Sequence, residues 1–337
     1  MAVEKANVLI TCAGRRVELV RAFKAARDAL GLEGRVFCAD CDPAAPALAF
    51  ADGAFLMPSL HDASYIPALE DCVRRNDISL VIPTIDTELA LLASARDDFA
   101  AKTGARIVVS PPRLIALCRD KAATARLLAD NSIAVPETWT SRAKIREAAP
   151  QFPLIVKPAD GSSSKDVFMA RDWRELNFFM GYVLKPVVQR CLEGVEYTID
   201  IFFDFDSRPV IAVPRRRIAV RGGEILRGRV EMPPQVLEAV QPLSALLSGL
   251  GAIGVITAQG FLCFDGVFRF TEINPRFGGG APMSIAAGAD FPKWLLMLAT
   301  GTALPAAPAI RAGAAFSRFD QMVEVSPPKG RGEPTHG

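Results

Sequence analysis

The strongest constraint on the fold is a change of hydrophobic pattern at the break Ser110-Pro111-Pro112. Before this break, short apolar runs typical of β-strands alternate with patterns typical of helices. The predicted strands are 8–11, 35–39, 54–57, 80–83 and 107–109, and the predicted helices are 16–29, 66–75 and 87–100. Strands that alternate with helices predict a parallel sheet covered on both faces, the α/β class.

After the break, two short helical patterns lead into longer strands that follow each other directly. The predicted helices are 114–118, 122–131 and 235–250, and the predicted strands are 154–157, 187–190, 197–203, 210–213, 218–220, 255–264 and 267–273. Strands in hairpin-like succession predict antiparallel sheets, the α+β class. Because 337 residues exceed one simple core, we expect two or three subdomains.

The composition restricts the partners and the compartment. A net charge of +2 provides no overall field for nucleic acid or for an anionic membrane. No apolar run approaches the ~18 residues of a membrane span, and the first residues do not have the pattern of a signal peptide, so we expect a cytoplasmic protein without nucleic-acid or membrane partners. Cys38 and Cys41 form a C-x-x-C, which is either a redox pair, half a zinc site or two thiols at the end of a strand.

The segment 270–280 carries the clearest chemical signal. Glu272 and Asn274 are two residues apart on a predicted strand, so their side chains leave the same face. Gln259 lies on the preceding strand of the same predicted hairpin and can add a third oxygen. Oxygen donors of this kind suit Mg²⁺. Arg276 follows as a fixed cation that can hold a transferring phosphoryl group. The alternative, a polar strand end followed by a loop, is disfavoured by the segment as a whole.

Two lysines and a serine-rich loop supply complementary positive charge and hydrogen-bond donors. Lys157 lies within an apolar strand, where a charge is costly unless an anion neutralises it. The loop that follows contains Ser162, Ser163 and Ser164, and its backbone N-H groups and hydroxyls can fold over phosphates. It lacks the G-x-x-x-x-G-K-S pattern of a Walker loop. Lys121 opens a predicted helix, and a solvated lysine is the simpler interpretation of it.

The segment 187–200 contains a strand that ends, turns at Gly194 and resumes. Backbone groups near the turn can hydrogen-bond to an adenine edge, and Glu196 can accept from ribose hydroxyls; a hairpin without a ligand is the alternative. A basic cluster of four arginines follows, namely Arg215, Arg216, Arg217 and Arg221. Solvated strand-edge charges or a nucleic-acid surface would explain it, but we favour Arg217 and Arg221 as a bidentate clamp for a substrate carboxylate.

Taken together and in their order along the chain, these sequence segments resemble those of the ATP-grasp superfamily. The chain from Val8 to about Leu304 is similar to single-module proteins related to the large subunit of carbamoyl-phosphate synthase, including the opening 10–16 (ITCAGRR) and the segment 83–89 (PTIDTEL). The resemblance implies a Rossmann-like pre-ATP-grasp domain (1–112), a small ATP-grasp subdomain with the phosphate loop (113–188), a C-terminal ATP-grasp subdomain with hinge, metal and catalytic strands (189–325) and a flexible tail (326–337).

The resemblance also implies a role for each site residue. ATP phosphates would be bound by Lys121, Lys157, Ser162, Ser163 and Ser164, the adenine by the hinge Gln189, Arg190, Cys191 and Leu192, and the ribose by Glu196. Two Mg²⁺, for which Mn²⁺ can substitute, would be bound by Gln259, Glu272 and Asn274, with Glu272 bridging. Many relatives have an acidic residue where this chain has Gln259. Arg276 would steady an acyl phosphate, and Gly278 and Gly279 would let the backbone approach the substrate closely.

The expected activity is an ADP-forming ligase that activates a carboxylate as an acyl phosphate and couples it to an amine. Its partners would be small carboxylate and amine substrates, and the family suggests a homodimer. Three alternatives stay open: a carbamoyl-phosphate-synthase-like module, a bicarbonate-using module that acts with a partner, and an ATP-binding sensor without turnover. A Rossmann dehydrogenase is disfavoured because the turn after the first strand lacks G-x-G-x-x-G.

Overall fold

The computed structural model describes residues 5–161, 165–306 and 308–324. Their contacts form two compact units. The first comprises the described residues of 1–109, 290–308 and 319–337, and the second comprises those of 110–289 and 309–318. The more detailed division into three subdomains and a tail stays a prediction.

The elements follow one another in a regular order through both units. In chain order they are β1 (Asn7–Thr11), α1 (Val17–Ala29), β2 (Val36–Asp40), a 3₁₀ helix (Pro46–Phe50), β3 (Gly53–Leu56), α2 (Tyr65–Arg75), β4 (Ile78–Pro83), α3 (Asp86–Thr103), β5 (Arg106–Ile107), α4 (Pro112–Arg119), α5 (Lys121–Asp130), β6 (Thr138–Trp139) and α6 (Arg142–Ala148). They continue with β7 (Leu154–Pro158), β8 (Phe168–Ala170), α7 (Trp173–Tyr182), β9 (Pro186–Arg190), β10 (Gly194–Phe203), β11 (Pro209–Arg221), β12 (Glu224–Val230), α8 (Pro234–Gly249), β13 (Gly254–Cys263), β14 (Phe268–Asn274), α9 (Ala281–Ala286), α10 (Phe291–Ala299) and β15 (Ala315–Ser317).

The first unit contains a five-stranded sheet in the order β3-β2-β1-β4-β5, and every pair in it is parallel. All five residues of the central strand β1 are buried, as expected for a strand covered on both faces. The predicted α/β class of this region is therefore confirmed.

The helix α10 belongs to the first compact unit, although it follows most of the second unit in sequence. This helix packs against α1 in the first unit, far from it in sequence. Its apolar side chains Phe291, Trp294 and Leu295 are buried. A helix this apolar needs a hydrophobic surface to cover it, and the helix layer of the parallel sheet provides one.

The second unit contains two sheets, and within the described part of the chain all their strand pairs are antiparallel, which confirms the predicted α+β class. The strand orders are β6-β9-β7-β8 and β14-β13-β10-β11-β12-β15. On the six-stranded sheet, Ile199, Ile201 and Phe203 of β10 face a core shared with Leu243 and Leu247 of α8. Because side chains alternate along a strand, the intervening positions of β10 lie on the opposite face, which carries the polar residues of the site.

The structure joins two predicted strands into one. The sequence predicts separate strands at 210–213 and 218–220, whereas β11 runs without a break from Pro209 to Arg221. Irregularities in register near Ala219 occur where β11 pairs with β12. The run of arginines interrupts the apolar alternation of β11 but not its backbone pairing, because β12 pairs with the segment from Arg215 to Arg221.

The seven cysteines are free thiols. Cys38 is buried in β2 and Cys41 is exposed beyond its end. Among the described residues, no group of three or more His, Cys, Asp or Glu side chains could hold a metal ion. The two thiols of the C-x-x-C thus lie in different surroundings at the end of β2.

A fully buried acid links three elements of the first unit. Glu88, in the first turn of α3, accepts hydrogen bonds from Thr11 Oγ1 at 2.9 Å and from Tyr65 Oη at 2.5 Å. Burial raises the pKa of Glu88 to about 7, and the hydrogen bonds from its neighbours offset part of this effect. The folded protein therefore favours the protonated acid.

We predict that the stability of the first unit falls as pH rises from about 4.5 to about 7 and then levels off. The unfolded chain loses the Glu88 proton near its ordinary pKa of about 4.5, whereas the folded chain keeps it until about 7. The shift corresponds to a loss on the order of 3 kcal/mol. Glu88→Gln, which mimics the protonated acid, should remove this part of the pH dependence in urea denaturation, and the exposed Glu33→Gln should not. Identical pH dependence in wild type and Glu88→Gln would contradict the prediction.

Candidate active site

The second unit contains a cavity of about 410 Å³ whose lining comes from both of its sheets. The four-stranded sheet contributes Lys157 and Gln189, and the six-stranded sheet contributes Glu196, Gln259 and Glu272. The cavity thus collects residues predicted for the phosphates, the adenine, the ribose and the metal.

Two buried lysines lie at the cavity. Lys121 begins α5, and Asp120 caps this helix by accepting from the N-H groups of Ala122 and Ala123 at 2.8 and 3.0 Å. The ammonium group of Lys121 donates to the carbonyl oxygen of Gly161. Lys157 lies in β7, and its Nζ is 3.5 Å from the carbonyl oxygen of Thr271.

The electrostatics of the lysines favour an anion. The pKa of Lys157 is lowered to about 8, mainly because the side chain is buried; the charge of Glu272 opposes this shift and the charge of Lys121 adds to it. Glu272 Oε1 lies 3.8 Å from Lys121 Nζ. Two ammonium groups beside one carboxylate leave an excess of positive charge in a desolvated place, which a polyphosphate would neutralise.

The predicted adenine hinge lies at the junction of the two sheets. Gln189 is buried in β9 and donates from Nε2 to Thr138 Oγ1 at 3.0 Å, so its side chain is tied to the neighbouring strand β6. Arg190 ends β9 and its guanidinium pairs with Glu137 at 2.9 Å. Cys191 and Leu192 follow in the irregular segment before β10, and all four hinge residues line the cavity.

The structure also explains the turn after the hinge. Gly194 opens β10 directly against β13, where a side chain would collide with the backbone of Leu262 and Cys263. Glycine therefore allows β10 to pair with β13 from its first residue, where Gly194 lies opposite Cys263 at the end of β13.

The predicted metal ligands lie on adjacent strands. Gln259 of β13 is the direct cross-strand partner of Glu272 of β14, and Asn274 is the partner of Thr257. Side chains that face each other in this way are within reach of a common ion. One carboxylate flanked by two amide oxygens fits the hard donors that Mg²⁺ prefers. Asn274 is buried and is not part of the described cavity lining.

Glu196 and Arg217 form an ion pair that the sequence does not predict. Glu196 Oε2 lies 3.1 Å from Arg217 Nε, and Arg217 also donates to the carbonyl oxygen of Gly223 at 2.9 Å. Burial raises the pKa of Glu196, and Arg217 partly offsets this. The predicted ribose ligand and the predicted carboxylate clamp are thus neighbours across β10 and β11. Arg221 lies four residues farther along β11, exposed, opposite Glu224.

The segment after β14 turns sharply toward α9. The N-H of Arg276 donates to the carbonyl oxygen of Asn274 at 2.8 Å, and its guanidinium donates to the carbonyl oxygen of Phe277 at 3.2 Å. Gly278 is packed so closely that a side chain would meet Thr257. Gly279 is half-buried in the same turn. The predicted loop residues Ser162, Ser163 and Ser164 lie outside the described residues.

Sequence reasoning missed the buried pair Asp200 and Arg215. Arg215 is 1% exposed and donates from Nε and Nη2 to Asp200 Oδ2 at 3.0 and 2.8 Å. The available signal was Asp200 itself, a charged residue within an otherwise apolar strand, where burial requires a partner of opposite charge. The cluster of arginines on β11 could have supplied that partner.

Comparison with protein families agrees with this geometry. Residues 118–280 match the model of the ATP-grasp domain. The chain carries an ATP-grasp domain. Residues 8–108 match the PylC-like N-terminal domain, so the two matches cover most of the second unit and most of the first. The predicted ATP-grasp resemblance is therefore confirmed.

Curated relatives of this chain include two D-alanine–D-alanine ligases. The enzyme of Pseudothermotoga lettingae is 26% identical over 176 residues, which are 50% of this chain and 57% of the relative. That of Fusobacterium nucleatum is 23% identical over 198 residues, 52% of this chain and 61% of the relative. The chain thus spans less than two thirds of the length of these relatives.

Solved structures show the same fold at low identity. N5-carboxyaminoimidazole synthetase from Staphylococcus aureus, complexed with ADP, has a TM-score of 0.73 at 16% identity and covers 94% of this chain and 83% of its own. The biotin carboxylase domain of Hydrogenobacter thermophilus 2-oxoglutarate carboxylase was solved as a dimer with MgADP, ADP and bicarbonate. Its TM-score is 0.72 at 16% sequence identity, and the match covers 92% of this chain and 73% of that domain's chain. L-amino acid ligase from Bacillus licheniformis has a TM-score of 0.67 at 19% sequence identity, and the match covers 88% of this chain and 74% of the ligase chain.

Within 5–161, 165–306 and 308–324, no helix has the length and apolarity that a membrane crossing requires.

We predict that Lys157→Met has opposite effects on the protein alone and on nucleotide binding. Because burial disfavours the Lys157 ammonium group, its removal should leave the melting temperature without nucleotide unchanged or higher. Affinity for ATP should fall about tenfold or more, which is ~1.4 kcal/mol. Calorimetric titration and thermal melting measure both effects, with the exposed Lys144→Met as the matched control. A variant that binds ATP like the wild type would remove Lys157 from the phosphate site.

Proposed function

We propose that the chain is an ADP-forming carboxylate-amine ligase that uses ATP and Mg²⁺. The observation that carries the proposal is the cavity in which two buried lysines meet the pair Gln259 and Glu272, beside the hinge residues. This arrangement provides positive charge for phosphates and hard oxygens for a divalent cation in one place. The family match and the ligases among the relatives support the same conclusion.

In the proposed complex the adenine lies along the hinge and the phosphates lie between the lysines. Backbone groups of Gln189, Arg190, Cys191 and Leu192 would contact the base. Glu196 would accept from the ribose hydroxyls and keep its pair with Arg217, since a carboxylate has about four acceptor positions. Serines 162–164 would close over the phosphates.

The chemical steps follow from charge. A substrate carboxylate oxygen attacks the γ-phosphorus in line, the bond to the β-phosphate oxygen breaks, and ADP leaves. Lys121 and Lys157 stabilise the charge that develops on the phosphoryl oxygens. The amine then attacks the acyl carbon of the acyl phosphate, and phosphate leaves with the electrons of the C-O bond. Water or a carboxylate takes the amine proton, because no histidine is among the described lining residues.

Gln259, Glu272 and Asn274 would hold two Mg²⁺, with Glu272 bridging and with Mn²⁺ as a substitute metal. When bound, these ions supply charge neutralisation for the phosphoryl group. Since only one of the three residues is a carboxylate, the binding of the metals should depend strongly on the phosphates of the nucleotide.

The substrate would lie toward the turn that follows β14. Arg276 would steady the acyl phosphate, Gly278 and Gly279 would allow close approach of the backbone, and Arg217 and Arg221 would attract the carboxylate. Because Arg217 is already paired with Glu196, its contribution would be through Nη1 and Nη2. Amino acids are the first class to test, given the substrates that the relatives' names contain. The homodimer stays a prediction, and the cytoplasm is the compartment that we propose for an ATP-consuming ligase.

The proposal predicts substrate-dependent release of ADP and phosphate. Purified protein with ATP and Mg²⁺ is screened against pools of amino acids, other carboxylates and bicarbonate, and mass spectrometry identifies the product. Acid plus amine minus water is the expected product mass. Glu272→Gln should lower turnover by about 100-fold or more while the protein stays folded. Glu193→Gln, an exposed change near the hinge, is the matched control.

Other results point to specific alternatives. ADP that forms only with bicarbonate indicates a bicarbonate-using module, and binding of ATP without turnover in any pool indicates a sensor. Unchanged turnover in Glu272→Gln would contradict the role of the Gln259 and Glu272 pair.

A further inference from the structure

The buried carboxylate of Asp200 joins three strands and a helix of the second unit. It accepts from Arg215 of β11 through Nε and Nη2, from Thr257 of β13 at 3.1 Å and from Ser284 of α9 at 2.7 Å. Asp200 and Ser284 are fully buried and Thr257 is 2% exposed. We call these four residues the Asp200 network. Burying an ion pair carries a desolvation cost, which the hydrogen bonds to the Asp200 carboxylate offset.

Thr257 connects the Asp200 network to the backbone of Arg276. Its Oγ1 lies 3.1 Å from Asp200 Oδ1 and also 3.1 Å from the carbonyl oxygen of Arg276. The hydroxyl has one proton, which these two acceptors share. Asp200 therefore fixes the place of the hydroxyl, and the hydroxyl fixes the place of the Arg276 peptide group.

The glycines after Arg276 are pressed against the same network. A Cβ at Gly278 would lie 2.9 Å from Thr257 Oγ1, and a Cβ at Gly280 would collide with Arg215 Nη1. Ser284 binds α9, which begins directly after Gly280, to the same carboxylate. The Asp200 network thus contacts the turn from Arg276 to Gly280 at its first residue, at Gly278 and at its last residue.

We propose that Thr257, held by Asp200 and Arg215, is a positioning residue for Arg276 in the ligase reaction. The inference rests on the proposed function, in which Arg276 steadies the acyl phosphate. A small displacement of a charged group from its place beside the phosphoryl group costs much of its effect, and displacements of about 1 Å can cost ~100-fold in rate. The hydroxyl of Thr257 acts by limiting this displacement.

The test uses paired variants with two readouts. Thr257→Val removes the hydroxyl and keeps the shape, and Thr257→Ser keeps the hydroxyl. Thr103→Val, which removes a threonine hydroxyl bonded to a carbonyl oxygen in α3, is the matched control. The readouts are kcat and KM for ATP, and hydrogen-deuterium exchange of a peptide that spans residues 274–284.

Thr257→Val should lower kcat about tenfold or more with KM for ATP changed less than about twofold, and should speed exchange in 274–284. Thr257→Ser should restore both readouts, and Thr103→Val should change neither. Unchanged kcat and exchange in Thr257→Val, or equal impairment in Thr257→Ser, overturns the inference. Wild-type protein without any turnover would refute the proposed function instead, and the exchange comparison would still decide whether the network holds the turn.

Discussion

The site depends on an excess of positive charge that the protein itself does not neutralise. Lys121 and Lys157 are both buried at the same cavity, and the pKa of Lys157 is lowered by burial and by Lys121. Glu272 compensates only in part, at 3.8 Å from Lys121. Such an arrangement is costly for the protein alone and becomes favourable when a polyanion binds. The stability of the second unit is thereby linked to its ligand.

The alternation of side chains along antiparallel strands places the remaining residues. One face of the six-stranded sheet packs on α8, and the other carries Glu196, Thr198 and Asp200 of β10. The register between β13 and β14 adds Gln259 beside Glu272. A single polar face thus presents the proposed ribose contact, the proposed metal ligands and the Asp200 network in adjacent rows. Shifting any of these strands by one residue would move its polar set into the core.

Local sequence patterns predict much of this architecture. The fold classes of both regions follow from the change of pattern near residue 110, and the pairing of Gln259 with Glu272 follows from a hairpin with a recognisable turn at Asp265 and Gly266. Roles for individual residues follow only from the family resemblance and stay proposals, since the fold alone does not define a substrate.

Side-chain contacts across paired strands and contacts between distant segments are what the sequence does not reveal. The pair Glu196 and Arg217 and the pair Asp200 and Arg215 depend on the register of β10 with β11, and the connection 204–208 between these strands does not have one of the two-residue turn sequences that fix a register. The joining of two predicted strands into β11 depends on pairing with β12. The packing of α10 on α1 joins segments that are more than 200 residues apart, and hydrophobic periodicity does not identify the partner of an apolar helix.

In the proposed reaction, a substrate carboxylate attacks the γ-phosphate of ATP. Labelling both carboxylate oxygens of the accepted acid with ¹⁸O and analysing the released phosphate by mass spectrometry tests this step directly. Transfer of one ¹⁸O to each phosphate, together with ADP, is the predicted result, because the acyl phosphate breaks between carbon and the labelled oxygen. Phosphate without label, or AMP as the nucleotide product, would contradict the account.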